Sequence, residues 1–265
     1  GRVMFMFQPG EEGHHGAKHM LDEGLLDVPA MHDGSESPVT GAFAIHMTSA
    51  LPTGWVSTRP GAVMASADVL RVTITGKGGH ASEPYRAVDP VPVACEIVTA
   101  LNTMITRSID PFDPAVLTVA RLVAGTTNNV IPETALIEGT IRAVSERTRS
   151  KVHDGVKRVA EGVAAAHGCG ADAVIEYGYP VTTNNDRFAD FSLGMAREVA
   201  GPKATVELPH PVMGAEDFSY VLNEVPGAMV FLGGTPHGSN LSKAAPNHSN
   251  RVFFEESAMA TGIAL

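Results

Sequence analysis

The hydrophobic pattern divides the chain into three stretches of different rhythm. In the first, five of the seven opening residues (GRVMFMF) are apolar, the pattern of a strand buried on both faces. A helix is predicted behind it through Ala17, Met20, Leu21, Leu25 and Leu26, with Gly24 near its end. Residues 28–40 are rich in Pro, Ser, Asp and Gly and read as a loop, and Gly41–Met47 as a second apolar strand. Because a central strand is an unusual way to open a domain, the pattern leads us to expect an N-terminal part before Gly1.

The middle stretch alternates more strictly. Ala67–Thr75 is expected as a half-exposed strand, Pro90–Arg107 as a helix, Pro114–Val123 and Ile131–Arg142 as strands separated by Gly125-Thr126-Thr127-Asn128-Asn129, Glu146–His167 as a helix, and Ala171–Tyr177 as a strand. The order β-α-β-β-α-β is that of a ferredoxin-like sandwich. The last stretch returns to the first rhythm: a helix near Asp186–Ala200, a strand near Ala204–Leu208, a helix around Glu216–Asn223, an apolar strand Ala228–Leu232 and a closing helix from about Phe254. The expected fold class is α/β, a catalytic domain in two pieces (1–66 and 180–265) interrupted by an inserted ferredoxin-like lid (67–179).

Composition narrows the function. Asp and Glu total 29 against 19 Lys and Arg, a net charge of −10, and basic blocks are missing, which argues against nucleic-acid and anionic-membrane partners. Apolar runs fall short of the ~20 residues that span a bilayer. The two cysteines, Cys95 and Cys169, are too few for a disulfide framework, which fits a reducing, cytoplasmic setting.

Chemistry is suggested first by Gln8-Pro9-Gly10-Glu11-Glu12 at the end of the opening strand. Adjacent carboxylates at a strand end can divide labour, one ligating a metal and the other activating a water; taken alone, they more often mark a solvated helix N-terminus stabilised by the dipole. His46, which the pattern puts at a strand end, and His248, in Ala245-Pro246-Asn247-His248-Ser249-Asn250, complete a set that zinc or a similar metal accepts. His14, His15 and His19 share a helical neighbourhood but not the His-Glu-x-x-His pattern, and are read as surface residues.

The segments FMFQPGEEG, GAFAIHM, GKGGHASEP, GTTNNVIPE, EGTIR, MGAEDFSY and APNHSN follow one another from Phe5 to Asn250. In that order they resemble the M20 metallopeptidase family, specifically its amidohydrolase branch of N-acyl-amino-acid, hippurate and auxin-conjugate hydrolases. The resemblance implies Glu11 as general base and Glu12, His46 and His248 as ligands of two divalent metals, with zinc, manganese, cobalt and nickel all compatible. It also implies a homodimer through the lid, a small N-acyl-amino-acid substrate, and His80 as an oxyanion donor reaching the partner subunit's site, with Asn129 as a second cross-subunit residue.

Arg142 is either a substrate-carboxylate contact or a solvent-facing strand-end charge. Glu216 either orients a ligand or substrate or opens a helix. The family's upstream Cys-x-His pair has no counterpart here, since neither Cys95 nor Cys169 is followed two residues on by His, so the metal site is expected to be incomplete in this chain. About 100 further residues are expected upstream on domain-size grounds. A non-catalytic fragment that still dimerises and a small-peptide carboxypeptidase are the alternatives.

Overall fold

The computed structural model describes residues 2–30 and 37–265. The described chain divides into two compact units, one of residues 1–64, 182–212 and 216–265, the other of residues 65–181 with 213–215.

The first unit opens without a strand. Residues 2–10 form no ladder with any described strand, and Val3, Phe5 and Phe7 are exposed at 80%, 78% and 87%. The expected opening strand is therefore corrected. Apolar density marks a segment that favours burial, but a strand also needs a neighbour to take its N–H and C=O groups, and no described strand does so. Gly1 and the central part of the expected loop, Met31–Glu36, lie outside the described residues. Helix α1 covers Gly16–Asp22, stopping short of the expected Leu26 because Gly24 turns the chain with φ +91°. Strand β1, Ala42–Pro52, runs past the expected Met47; β2 (Val56–Thr58) and β3 (Gly61–Met64) follow.

The second unit is built on the alternating segment. In β4 (Asp68–Thr75), Leu70, Val72 and Ile74 are fully buried while Val69 and Thr75 face outward. The short β5 (Gly79–His80) leads to α2 (Pro90–Ser108), which starts sharply because Asp89 accepts from Val91 N at 2.9 Å and Pro90 needs no intrahelical donor. Then come β6 (Ala115–Ala124), β7 (Val130–Ile131), β8 (Thr134–Ala143), α3 (Glu146–Ala166), capped by Ser145, and β9 (Gly170–Tyr177). The four long strands form one antiparallel sheet in the order β6-β8-β4-β9. Val93, Ile97 and Leu101 of α2 and Val152, Val156 and Ala160 of α3 close the core over it.

A buried charge cluster sits at one end of that core. The Asp68 carboxylate is solvent-inaccessible and accepts from Arg149 Nε at 2.8 Å and Nη2 at 2.5 Å, from His153 Nε2 at 2.8 Å and from Gly178 N at 3.0 Å. Burial pushes its pKa up, but these donors outweigh that and hold it at about 2.

Opposite Gly139 of β8, β6 carries an irregularity between Val119 and Arg121 that leaves Ala120 unpaired. A Cβ on Gly139 would lie 2.4 Å from the Thr118 carbonyl oxygen, a backbone atom that cannot rotate away. Gly139→Ala is expected to destabilise this unit by ~1–3 kcal/mol, the range for forced overpacking, seen as a lower urea midpoint with an unchanged slope.

The chain then re-enters the first unit through β10 (Thr182–Asn184), which pairs antiparallel with β3; neither strand stands out in the sequence, being three and four residues long. Helix α4 (Asp186–Val199), β11 (Thr205–Glu207), α5 (Ser219–Glu224), β12 (Gly227–Thr235) and α6 (Ala258–Ala264) complete it. The closing helix thus begins four residues later than expected. The mixed sheet has the order β1-β12-β2-β11, with β1 parallel to β12 and β12 antiparallel to β2. All of β12 is buried: Met229 and Phe231 pack into a core with Ala17, Val63 and Phe218, while Val230 and Leu232 pack into another with Val56, Ala196 and Ala258. A strand buried on both faces is what its unbroken apolar run dictates. Among the described residues, no helix is long and apolar enough to cross a membrane.

Candidate metal centre

The two glutamates lie on a turn folded by glycine. Gly10 and Gly13 have φ of +56° and +84°, and a Cβ on Gly16 would fall 1.5 Å from the Pro9 carbonyl oxygen, so the turn closes tightly only with glycine there. His15 enters α1 in the left-handed region at φ 53°, and its Nδ1 lies 3.0 Å from the Tyr220 hydroxyl of α5. The conformation is costly for a residue with a Cβ, and this contact helps hold it.

Three carboxylates meet at this turn. Ligand-type oxygens of Glu11, Glu216 and Asp217 all lie within 4.8 Å of one another. Glu216 is 5% exposed and Asp217 is fully buried. Asp217 Oδ2 accepts from Ala17 N at 2.8 Å, and its Oδ1 accepts from the Gln8 side-chain amide, which also donates to Glu216 Oε1 at 3.1 Å. Glu216 Oε1 accepts from Phe218 N at 3.2 Å. Glu216 is therefore no solvated helix-opening carboxylate: α5 starts only at Ser219, and the side chain is turned inward.

Packing the acids together has an electrostatic cost. Burial, then the charges of Glu216, Glu12 and Asp217, push Glu11 up to about 7, against a hydrogen bond from the Asp217 main chain. Burial first, then Glu216, pushes Asp217 up to about 6 despite the bond from Ala17 N.

Of the other predicted ligands, Glu12 and His248 come together, while His46 does not join the carboxylate group of Glu11, Glu216 and Asp217. Glu12 and His248 are both exposed, and their Oε1 and Nδ1 atoms are 3.3 Å apart, so the two ends of this unit do meet. His46 is not at a strand end but at the middle of β1, opposite Phe231 in the parallel register; the strand continues because β12 offers it partners as far as Thr48 and again at Pro52. His46 Nδ1 lies 2.6 Å from the Met47 carbonyl oxygen. A carbonyl only accepts, so Nδ1 carries a proton, and it is Nε2 whose lone pair a neutral ring would offer. The same carbonyl accepts from Asn247 Nδ2 at 2.7 Å, and Asn247 Oδ1 accepts from Ser49 N at 2.9 Å. The loop that bears His248 is thereby sewn to the strand that bears His46.

Asp217 and Gln8 were not singled out by sequence reasoning, although both lie inside the motifs that name their neighbours. The signal was the acidic pair Glu216-Asp217 itself, whose second member is the more deeply buried.

The remaining predicted residues lie in the second unit. His80 on β5 stands opposite Val130 of β7, and Ala81 N donates to the Asn129 carbonyl at 3.1 Å, so His80 and Asn129 share one end of a two-stranded ribbon. Arg142 is half-buried on β8 opposite Val116.

Known proteins resemble this chain over most of its length. The profile of Peptidase family M20/M25/M40 matches residues 1–265. Thermostable carboxypeptidase 2 of Saccharolobus solfataricus is 33% identical over 265 residues, 99% of this chain and 63% of that protein. The IAA-amino acid hydrolase ILR1-like 2 of Arabidopsis thaliana is 38% identical over 238 residues, 88% of this chain and 51% of that protein. Among solved structures, the YXEP protein of Bacillus subtilis, described as a dinuclear metal binding peptidase from the M20 family, superposes with a TM-score of 0.74 at 28% identity, covering 97% of this chain and 60% of that one. The chain thus spans about half to two-thirds of the length of these relatives. With the whole described sequence matched and the acidic turn, strand histidine and loop histidine gathered in one unit, the chain belongs to the M20/M25/M40 peptidase family.

Proposed function

We propose that this chain carries the larger part of a metal-dependent amidohydrolase that cleaves the amide bond of N-acyl-amino acids or related small substrates. The observation that carries the proposal is the convergence of Glu11, Glu216 and Asp217 beside the Glu12–His248 contact. Buried acids that raise one another's pKa suit a cation, whose charge removes the repulsion, and the free Nε2 of His46 adds a nitrogen donor.

In this reading Glu12, His46 and His248 would be ligands of two divalent ions. Bound there, the ions supply Lewis acidity and a water of lowered pKa. Glu11 takes the proton of the attacking water on its carboxylate and returns it to the leaving nitrogen. Asp217 and Gln8 fix the turn on which Glu11 rides. The β-α-β-β-α-β unit serves as a ferredoxin-like lid and dimerisation domain, from which His80 and Asn129 act on the partner subunit's substrate, and Arg142 is the candidate contact for a substrate carboxylate.

The names of the relatives favour two substrate classes, amino-acid conjugates and peptides, and support a second reading as a small-peptide carboxypeptidase. Rates on an N-acetyl-amino acid and on a dipeptide, measured side by side with the metal-loaded enzyme, decide between them; hydrolysis of neither overturns the proposal. Glu12→Gln removes a charged ligand. It is expected to weaken metal binding by more than the ~10–100-fold typical of an outer partner, read by elemental analysis after dialysis, with activity falling in parallel.

A further inference from the structure

The ribbon end formed by β5 and β7 has a property that its two named side chains share. In each, the acceptor atom is already engaged by a close neighbour in sequence. Ser82 N donates to His80 Nδ1 at 3.2 Å, and Ser82 Oγ lies 2.7 Å from the same nitrogen. A main-chain N–H can only donate, so Nδ1 is the bare nitrogen. The neutral ring therefore keeps its proton on Nε2. Two residues before Asn129, the Thr127 hydroxyl donates to Asn129 Oδ1 at 3.2 Å, which leaves the amide NH₂ as the group on offer. Both side chains are exposed, and the main chain ties them together through Ala81 N and the Asn129 carbonyl.

We propose that Ser82 and Thr127 are positioning residues: with His80 and Asn129 acting on the substrate as proposed above, Ser82 fixes His80 as an Nε2–H donor and Thr127 fixes Asn129 as an NH₂ donor toward an anionic oxygen. The inference rests on the proposed hydrolase reading for the identity of that oxygen, which is either the oxyanion that forms at the scissile carbonyl or a substrate carboxylate. Neutral donors suit both. They need no deprotonation or counter-ion, and their geometry is set before the substrate arrives, the condition under which such donors act best. It also gives Ser82 a task distinct from packing: without it the ring is free to populate the other tautomer, which would present a lone pair to the same oxygen and repel it.

Nitrogen-15 NMR of the histidine-labelled protein, at a pH where the ring is neutral, reads the tautomer with no metal or substrate present. The expected spectrum shows His80 Nδ1 unprotonated. Ser82→Ala keeps the main-chain donor but removes the shorter contact, so a measurable Nδ1-protonated fraction should emerge, and Ser82→Thr should suppress it. In the metal-loaded enzyme, Ser82→Ala is expected to cost about fivefold, the factor of one neutral hydrogen bond. A loss confined to kcat identifies the oxyanion, and a loss confined to KM identifies the carboxylate. Thr127→Val should cost about the same factor in the same parameter, with the urea midpoint unmoved because both residues are exposed. An Nδ1-protonated His80 in the wild type, or a Ser82→Ala protein with unchanged spectrum and kinetics, overturns the proposal. A wild-type enzyme that hydrolyses no N-acyl-amino acid overturns the hydrolase reading instead, and the NMR comparison still decides whether Ser82 holds the ring.

Discussion

Glu11→Gln is expected to lower kcat for an N-acyl-amino acid by about 10²–10⁴-fold while leaving metal stoichiometry nearly intact. The side chain keeps its length and one oxygen, so the hydrogen bond from the Asp217 main chain still has an acceptor. It loses the capacity to hold the proton of the attacking water. Metal content should respond little, because the replacement also removes one of the charges that crowd Glu216 and Asp217. The contrast with Glu12→Gln makes the pair decisive: two adjacent, chemically alike carboxylates should differ in which quantity they move. The measurement is single-turnover hydrolysis beside elemental analysis for both variants of the metal-loaded enzyme. Equal metal loss in the two would refute the division of labour, and full activity in Glu11→Gln would remove the general-base step.

In the second unit, Asp68→Asn is expected to cost ~3–5 kcal/mol of stability, the range for breaking a buried ion pair from one side. Arg149 is nearly inaccessible, at 7% side-chain exposure, and its other carboxylate partner, Glu146, is 58% exposed. Without the Asp68 charge the guanidinium stays buried with only that outer partner, and His153 and Gly178 N lose the oxygens they share. Two effects oppose each other at Asp68, burial and donors, and the donors prevail, since the carboxyl is held at about 2 against an ordinary 3.8. The sign of the pH dependence follows. A depressed carboxylate contributes its full stabilisation above its unfolded pKa of 3.8, and the contribution disappears as pH falls through about 2. The stability gap between wild type and Asp68→Asn should therefore be constant above pH ~4 and narrow between there and pH ~2, measured by urea unfolding followed by circular dichroism. A gap that persists at the acid end would mean that the pair is held by packing and not by charge.

The elements legible in the sequence were those whose pattern records a neighbour on a known side. Alternation in Asp68–Thr75 reports one buried face, and the unbroken run in β12 reports two. The residues of Val3–Phe7 carry the second pattern equally well yet have no described partner, because a sequence states what a strand would tolerate and not which strand lies beside it. The short β3 and β10 escaped notice for the opposite reason: three or four residues are too few to show a period, and Thr182-Thr183-Asn184 is polar. At the acidic turn, Glu11, Glu12 and His248 could be named as candidates from the sequence only through the run of motifs around them, and the structure brings Glu12 and His248 within 3.3 Å of each other. His46 was expected at a strand end and lies instead in the middle of β1. Asp217 was passed over because its partners, Ala17 N and Gln8, are 200 or more positions away, and only the fold reveals that its carboxylate is buried.

The carbonyl of Met47, shared by His46 Nδ1 and Asn247 Nδ2, has an evolutionary consequence. The group that dictates which nitrogen His46 offers belongs to the main chain, so every amino acid at position 47 supplies it equally. If His46 is a metal ligand as proposed, selection on that role leaves no mark on the identity of residue 47, which is free to drift with the packing of its own side chain. The mark falls instead on Asn247, the residue that reaches the carbonyl with a side chain. A survey of variants should find position 247 far less tolerant than position 47, although only the latter is covalently joined to the histidine.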